Sequence, residues 1–245
     1  MRRLKLVLEY DGTNYVGMQR QLNGLSIQEV VEKSLAKICK EKVQITPSGR
    51  TDAGVHALYQ PVHTDFPVDS MSLQNIQKAL NSLLPLDIRI LEISQVSKNF
   101  HARYEAKKRT YHYKICKTKT AFNHKYFSCF PYHNLDGKLF KCYLQNLLGE
   151  HSFVNFCKKN PNLKHYRCTI YKADIKKTNY GWLIEISGNR FLHNMIRRIV
   201  GTCLVLSLEK AKPEKISKFL QEKDIPSKYK FTAPAQGLYL QDVQY

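Results

Sequence analysis

Ser48-Gly49-Arg50-Thr51-Asp52-Ala53-Gly54-Val55-His56 is the stretch on which the reading of this chain turns. Two glycines bracket its middle, so the backbone is expected to bend sharply, with room for positive φ. Arg50 and Asp52 stand two positions apart, a spacing that sends both side chains the same way from an extended segment. A carboxylate presented on such a bend can serve as a nucleophile or a base. The competing reading is an Asx-turn, in which the Asp52 side chain only caps the backbone that follows. His56 closes the stretch. Nine histidines are scattered over the chain, so a hydrogen-bonded loop histidine is expected there, and no metal centre.

Outward from this loop the pattern is mixed α and β. Residues 3–10 alternate apolar and polar as a strand does, and Asp11-Gly12-Thr13-Asn14 follows as a turn. Ser26-Ile27-Gln28-Glu29 is a capping box. It opens a helix over 27–40 with Ile27, Val30, Val31, Leu35 and Ile38 inward. Residues 44–47 lead into the glycine-flanked loop, and 60–66 read as a strand beyond it. Ser72 starts a second helix, with Ile76, Leu80 and Leu83 on its buried face, and 88–96 form another strand. In the second half, 109–116 alternate strongly and 139–148 are helical. Residues 166–176 and 181–187 form a hairpin around Asn179-Tyr180-Gly181. A long helix is expected over 191–208 from Phe191, Leu192, Met195, Ile196, Ile199 and Val200, then a short helix at 213–221 and a last strand at 237–243. The fold class that follows is α+β. Two related βαβ-type halves, 1–104 and 105–245, would join in a continuous, mainly antiparallel central sheet around a basic cleft. No clean internal repeat is visible.

Charge narrows the partner. Lys and Arg number 39 against 20 Asp and Glu, a net +19, and such an excess concentrates polyanions. Nucleic acid leads, with an anionic membrane surface behind it. Basic and aromatic residues interleave in Phe100-His101-Ala102-Arg103-Tyr104 and through residues 107–114. Single-stranded RNA needs that pairing of cations with stacking rings, although a strand with a solvated basic face has the same composition. The seven cysteines are odd in number, widely spaced and without a Cys-x-x-Cys. That argues against a disulfide framework or a zinc ribbon, and for buried thiols in a reducing compartment. No signal-peptide pattern precedes the first strand, and the apolar run 199–208 is shorter than the roughly 20 residues a membrane span takes. A cytoplasmic protein with no membrane contact is expected.

Gly49-Arg50-Thr51-Asp52-Ala53-Gly54-Val55-His56-Ala57 resembles, residue for residue, the catalytic motif of the TruA family of tRNA pseudouridine synthases. Other segments match that family in order: Glu9-Tyr10-Asp11-Gly12-Thr13, Phe100-His101-Ala102-Arg103-Tyr104, Arg109-Thr110-Tyr111-His112-Tyr113, residues 191–201 and residues 232–240. The resemblance implies the pseudouridine synthase fold, a tRNA substrate and a homodimer. It implies isomerisation of uridine to pseudouridine in the anticodon stem-loop, at positions 38, 39 and 40, with neither cofactor nor metal. Carried over by position, Asp52 is the catalytic carboxylate and Arg50 lies beside the target nucleotide. Tyr111 approaches the base, Arg197 pairs with Asp52, Leu238 walls the pocket, and Phe100, His101, Ala102, Arg103 and Tyr104 contact RNA. The duller readings are strand core for Tyr111, simple packing for Leu238 and a solvated helix face for Arg197 and Arg198. Met18 stands where the family usually carries an aromatic. Residues 155–167 follow the family least, and no RNA contact is assigned to them. A non-catalytic RNA-binding protein and a glycoside hydrolase are the alternatives. The second would need a further acid at the scissile bond, and none stands out.

Overall fold

The computed structural model describes residues 1–129 and 135–245. The chain divides into two compact units, Met1–Lys107 with Tyr239–Tyr245, and Lys108–Leu238. Both are α+β with mainly antiparallel pairing.

The first unit contains β1 (Arg2–Tyr10), α1 (Ile27–Cys39), β2 (Thr46–Pro47), β3 (His56–Phe66), α2 (Leu73–Leu83) and β4 (Ile88–Gln95). The chain returns to it at Tyr239 along β10 (Leu238–Gln244). β1 lies between β4 and β3, antiparallel to both, and β10 runs parallel to β3 with Tyr239 opposite His56. Leu4, Leu6 and Leu8 of β1 are fully buried, as the alternation requires. Ser26 caps α1 by accepting the Glu29 N–H, while the Glu29 carboxylate pairs with Lys33 one turn on. In α2, Ile76 and Leu80 are buried as expected, but Leu83 is 40% exposed and Leu84 takes the third core position. The buried stripe advances in steps of four, and Leu84 leaves the helix in an extended conformation that turns it inward. β3 also starts earlier than the apolar run suggests. His56 and Ala57 of the motif are already paired, because β10 supplies a neighbour.

The second unit holds β5 (Lys108–Cys116), β6 (Ser128–Cys129), α3 (Gly137–Gln145), β7 (Gly149–Ser152), β8 (Arg167–Thr178), β9 (Gly181–Gly188), α4 (Met195–Leu208) and α5 (Glu214–Gln221). Its strand order is β5-β9-β8-β7, all antiparallel, with β6 parallel to the end of β5. The expected long helix is shorter at its start. Residues 191–194 lie outside α4, and Asn194 takes a left-handed conformation at φ 63°, which a right-handed helix cannot continue through. From Met195 on, α4 is buried on nearly every side, so no single apolar stripe describes it. The cysteine reading also needs correcting: Cys116 and Cys129 form a disulfide. The parallel register of β5 and β6 sets them opposite one another, with Cα atoms 5.0 Å apart, within the reach of a bridge. That register is invisible in the spacing. Of the five free thiols, those of Cys157, Cys168 and Cys203 are buried, and Cys142 is exposed. Among the described residues no helix is long and apolar enough to cross a membrane.

Candidate active site

Asp52 lies in the loop between β2 and β3. The Val55 N–H donates to the main-chain carbonyl of Asp52 at 3.1 Å, and Gly54 adopts φ 75°. The turn is thus closed by a backbone hydrogen bond, as a glycine at its third position allows. Asp52 is half-buried and Arg50 is exposed.

Residues 12–18 run against this turn, main chain to main chain. A Cβ at Gly12 would lie 2.0 Å from the Val55 carbonyl oxygen, and one at Gly17 would lie 2.4 Å from that of Thr51. Gly17 also adopts φ 106°, a region costly to residues with a Cβ. The Met18 N–H donates to the Thr51 carbonyl, and the Gly54 N–H to that of Tyr15. Below the turn, the buried hydroxyls of Tyr10 and Thr51 are 2.8 Å apart. His56 is buried, accepts the Gly12 N–H on Nδ1 at 3.1 Å and stacks on Tyr239 at 4.7 Å. It is therefore a hydrogen-bonded structural histidine, as read from the sequence. Met18 is fully buried behind this layer.

Phe100–Tyr104 form a turn in the same unit. Ala102 is buried and donates its N–H to His63 Nδ1 at 3.1 Å, which requires a neutral ring nitrogen there. Burial, then the nearby His101 and Arg3, pull the His63 pKa below the ordinary histidine value. Tyr245 packs on Phe100 at 5.1 Å and donates its hydroxyl to the Ala102 carbonyl. Arg103 and Tyr104 are exposed, with the guanidinium over the ring, and Tyr104 lies against His101. A buried alanine thus anchors a turn that offers a cation and rings to solvent.

The second unit carries Tyr111, Arg197 and Leu238. Tyr111 is 8% exposed and meets Phe191 edge-on at 5.3 Å. Tyr113, two residues along the same face, donates its hydroxyl to the Pro234 carbonyl. Arg197 donates through Nε to the neighbouring Ala233 carbonyl at 2.7 Å and through a terminal nitrogen to Asn194 Oδ1. Burial pushes the Tyr113 pKa up, against the smaller opposing effects of Ser128 and of the nearby Arg197. Leu238 is buried at the start of β10. The 233–238 segment therefore gathers Tyr113, Arg197 and Leu238. Asn155 is buried and donates to the Phe219 and Glu222 carbonyls, a packing role in the segment that follows the family least.

Tyr10, Thr51, Gly17, His63, Tyr239 and Tyr245 were not singled out in the sequence. Tyr10 and Thr51 lie inside quoted motifs, but only coordinates pair them across 41 positions.

The sequence model of a family described as tRNA pseudouridine synthase matches residues 6–105 and 144–245. The chain is 39% identical over 245 residues to tRNA pseudouridine synthase A of Exiguobacterium sibiricum, covering 100% of this chain and 97% of that protein. It is 40% identical over 245 residues to the protein of the same name from Phytoplasma mali, with 98% of each covered. For the Thermotoga sp. strain RQ2 protein, also of that name, the identity is 39% over 248 residues and coverage is complete on both sides. A match over this much of both chains settles the assignment: this chain belongs to the tRNA pseudouridine synthase family.

Proposed function

We propose that the chain converts uridines of the tRNA anticodon stem-loop, at positions 38, 39 and 40, to pseudouridine, with Asp52 as the catalytic carboxylate. As a family member it is an isomerase acting on tRNA uridine. The finer assignments are supported first by the Asp52 turn. Glycine contacts and the Thr51 hydroxyl hold the turn, and Arg50, two residues before Asp52, is exposed. Rigid support of that kind is what a reacting group needs.

The reaction breaks the bond between uracil N1 and ribose C1′, turns the base and rejoins it through C5. Every atom of the uridine is retained apart from exchange of a proton, and no redox change occurs. A base stacked in a stem is out of reach, so the nucleotide must be everted. Attack on C1′, addition to C6 and removal of a 2′ proton all need a carboxylate at the reacting nucleotide. The family's motif pattern, rather than any distance, gives Tyr111 the face of the base, Arg197 the partner role for Asp52 and Leu238 a pocket wall. It gives Phe100, His101, Ala102, Arg103 and Tyr104 contacts to RNA beside Arg50, and it points to a homodimer. Asp52→Asn is expected to abolish pseudouridine formation in an unmodified tRNA transcript while tRNA still binds. Retained turnover would remove Asp52 from the role.

A further inference from the structure

We infer that the loop over residues 117–127, with the tip of the β8–β9 hairpin, is a second tRNA-binding surface, separate from the reacting uridine. The inference rests on the tRNA-modifying reading above. From residue 106 to 135 the sequence contains no Asp or Glu, against Lys107, Lys108, Arg109, Lys114, Lys117, Lys119 and Lys125. A polyanion meets no carboxylate from this stretch, and its cations can neutralise phosphates.

The loop is built rather than slack. The Thr120 N–H donates to Asn123 Oδ1, and the Phe122 and Asn123 N–H groups donate to Thr120 Oγ1. Asn123 Nδ2 donates to the Thr118 carbonyl, while the Tyr126 and Phe127 N–H groups donate to the Asn123 carbonyl. This scaffold nevertheless leaves Phe122 92% exposed, with Lys117, Lys119 and Lys125 exposed around it. The hairpin adds a second ring: Tyr180 is 69% exposed, lies 5.7 Å from Phe127, and accepts the Lys117 N–H on its carbonyl. Lys114 sits over the other ring of this group, Phe127. Exposed rings on an ordered basic loop fit ribose and unstacked bases, which stack on aromatic faces.

One fact separates the start of this loop from Tyr111. Within the second unit it begins beyond Cys116, five residues along β5 from Tyr111, about 17 Å at strand spacing.

The test uses Asp52→Asn protein and an unmodified tRNA transcript, so that binding is read without turnover. Phe122→Ser and Tyr180→Ser should each weaken the Kd about tenfold, the loss of one stacking contact. Lys119→Gln should lower the slope of log K against log salt by about one. In otherwise wild-type protein these changes should leave kcat at saturating tRNA unaltered. A measurement needing no substitution runs alongside: acylation of Lys117, Lys119 and Lys125 by an amine-reactive ester, read by mass spectrometry, should be suppressed by tRNA. Kd values within twofold of the parent, with unprotected lysines, overturn the inference. So does a change of oligomeric mass without a change in tRNA affinity, which would mark a subunit contact. Loss of binding to anionic vesicles with tRNA affinity unchanged would overturn it too. Failure of the Asp52 assignment is recognised separately, by turnover surviving in Asp52→Asn.

Discussion

The Tyr10 hydroxyl lies 2.8 Å from Thr51 Oγ1, one residue before Asp52, and both side chains are buried. Removing one partner leaves the other without its bond in a place water does not reach. Tyr10→Phe should therefore cost on the order of 1–3 kcal/mol. Because Thr51 adjoins the carboxylate, kcat should fall while KM for tRNA holds. Thermal unfolding and steady-state kinetics on one preparation would decide it, and a variant with lower Tm but unchanged kcat would reduce the bond to a structural one. Much at this scale was readable. The glycine at the third position of the turn and the cap at Ser26 follow from local chemistry, which acts over three or four residues. The partners of Thr51 and Ala102 were not, because Tyr10, His63 and Tyr245 are distant in sequence and carry no local mark of the contact.

Among the elements, the C-terminus of α4 carries a carboxylate paired on several sides, that of Glu209. Glu209 accepts from Lys228 and from the Tyr229 hydroxyl, each at 2.6 Å, and Lys215 donates to that same hydroxyl. Lys215 and Lys228 also lie over the Tyr229 ring at 4.6 and 4.8 Å. The hydrogen bonds from Lys228 and Tyr229 lower the Glu209 pKa from 4.5 to about 2. A carboxylate depressed on folding lends stability that is fully present above its unfolded pKa and lost as the pH falls through its folded one. Glu209→Gln should flatten the decline of Tm between pH 4.5 and about 2, the two pKa values. Superimposable curves would show that the cluster is solvated and inert, as many exposed pairs are. The periodic pattern named these helices but misjudged their ends. Leu83 kept the apolar spacing although it ends α2 facing solvent, and Phe191 and Leu192 kept it ahead of the left-handed Asn194.

At the scale of the molecule, the excess of 39 basic over 20 acidic residues sets the response to salt. Phosphate contacts release counterions, so log K for tRNA should fall linearly with log salt. Affinity should drop by orders of magnitude between roughly 50 and 200 mM if several phosphates are neutralised. Filter binding across that range checks it, and a flat response would contradict a phosphate-led interface. The route of the chain matters here as well. Tyr239–Tyr245 return to the first unit, where Tyr239 backs His56 and Tyr245 secures the Phe100 turn. The residues that support both proposed RNA-facing loops of that unit thus come from opposite ends of the sequence.

What the sequence determined by itself was everything carried by contiguous residues: the α+β class, the family, and the loop that bears Asp52. Motif, period and cap are local, and each can be recognised without knowing what lies across the fold. The tertiary structure alone decided what depends on register and close approach. It set Cys116 opposite Cys129, ran the main chain of Gly12 and Gly17 against the Asp52 turn, and put Leu84 rather than Leu83 in the core. The physical reason is that hydrogen bonding and packing act over a few ångströms in space, and strand pairing sets which distant residues come within that reach.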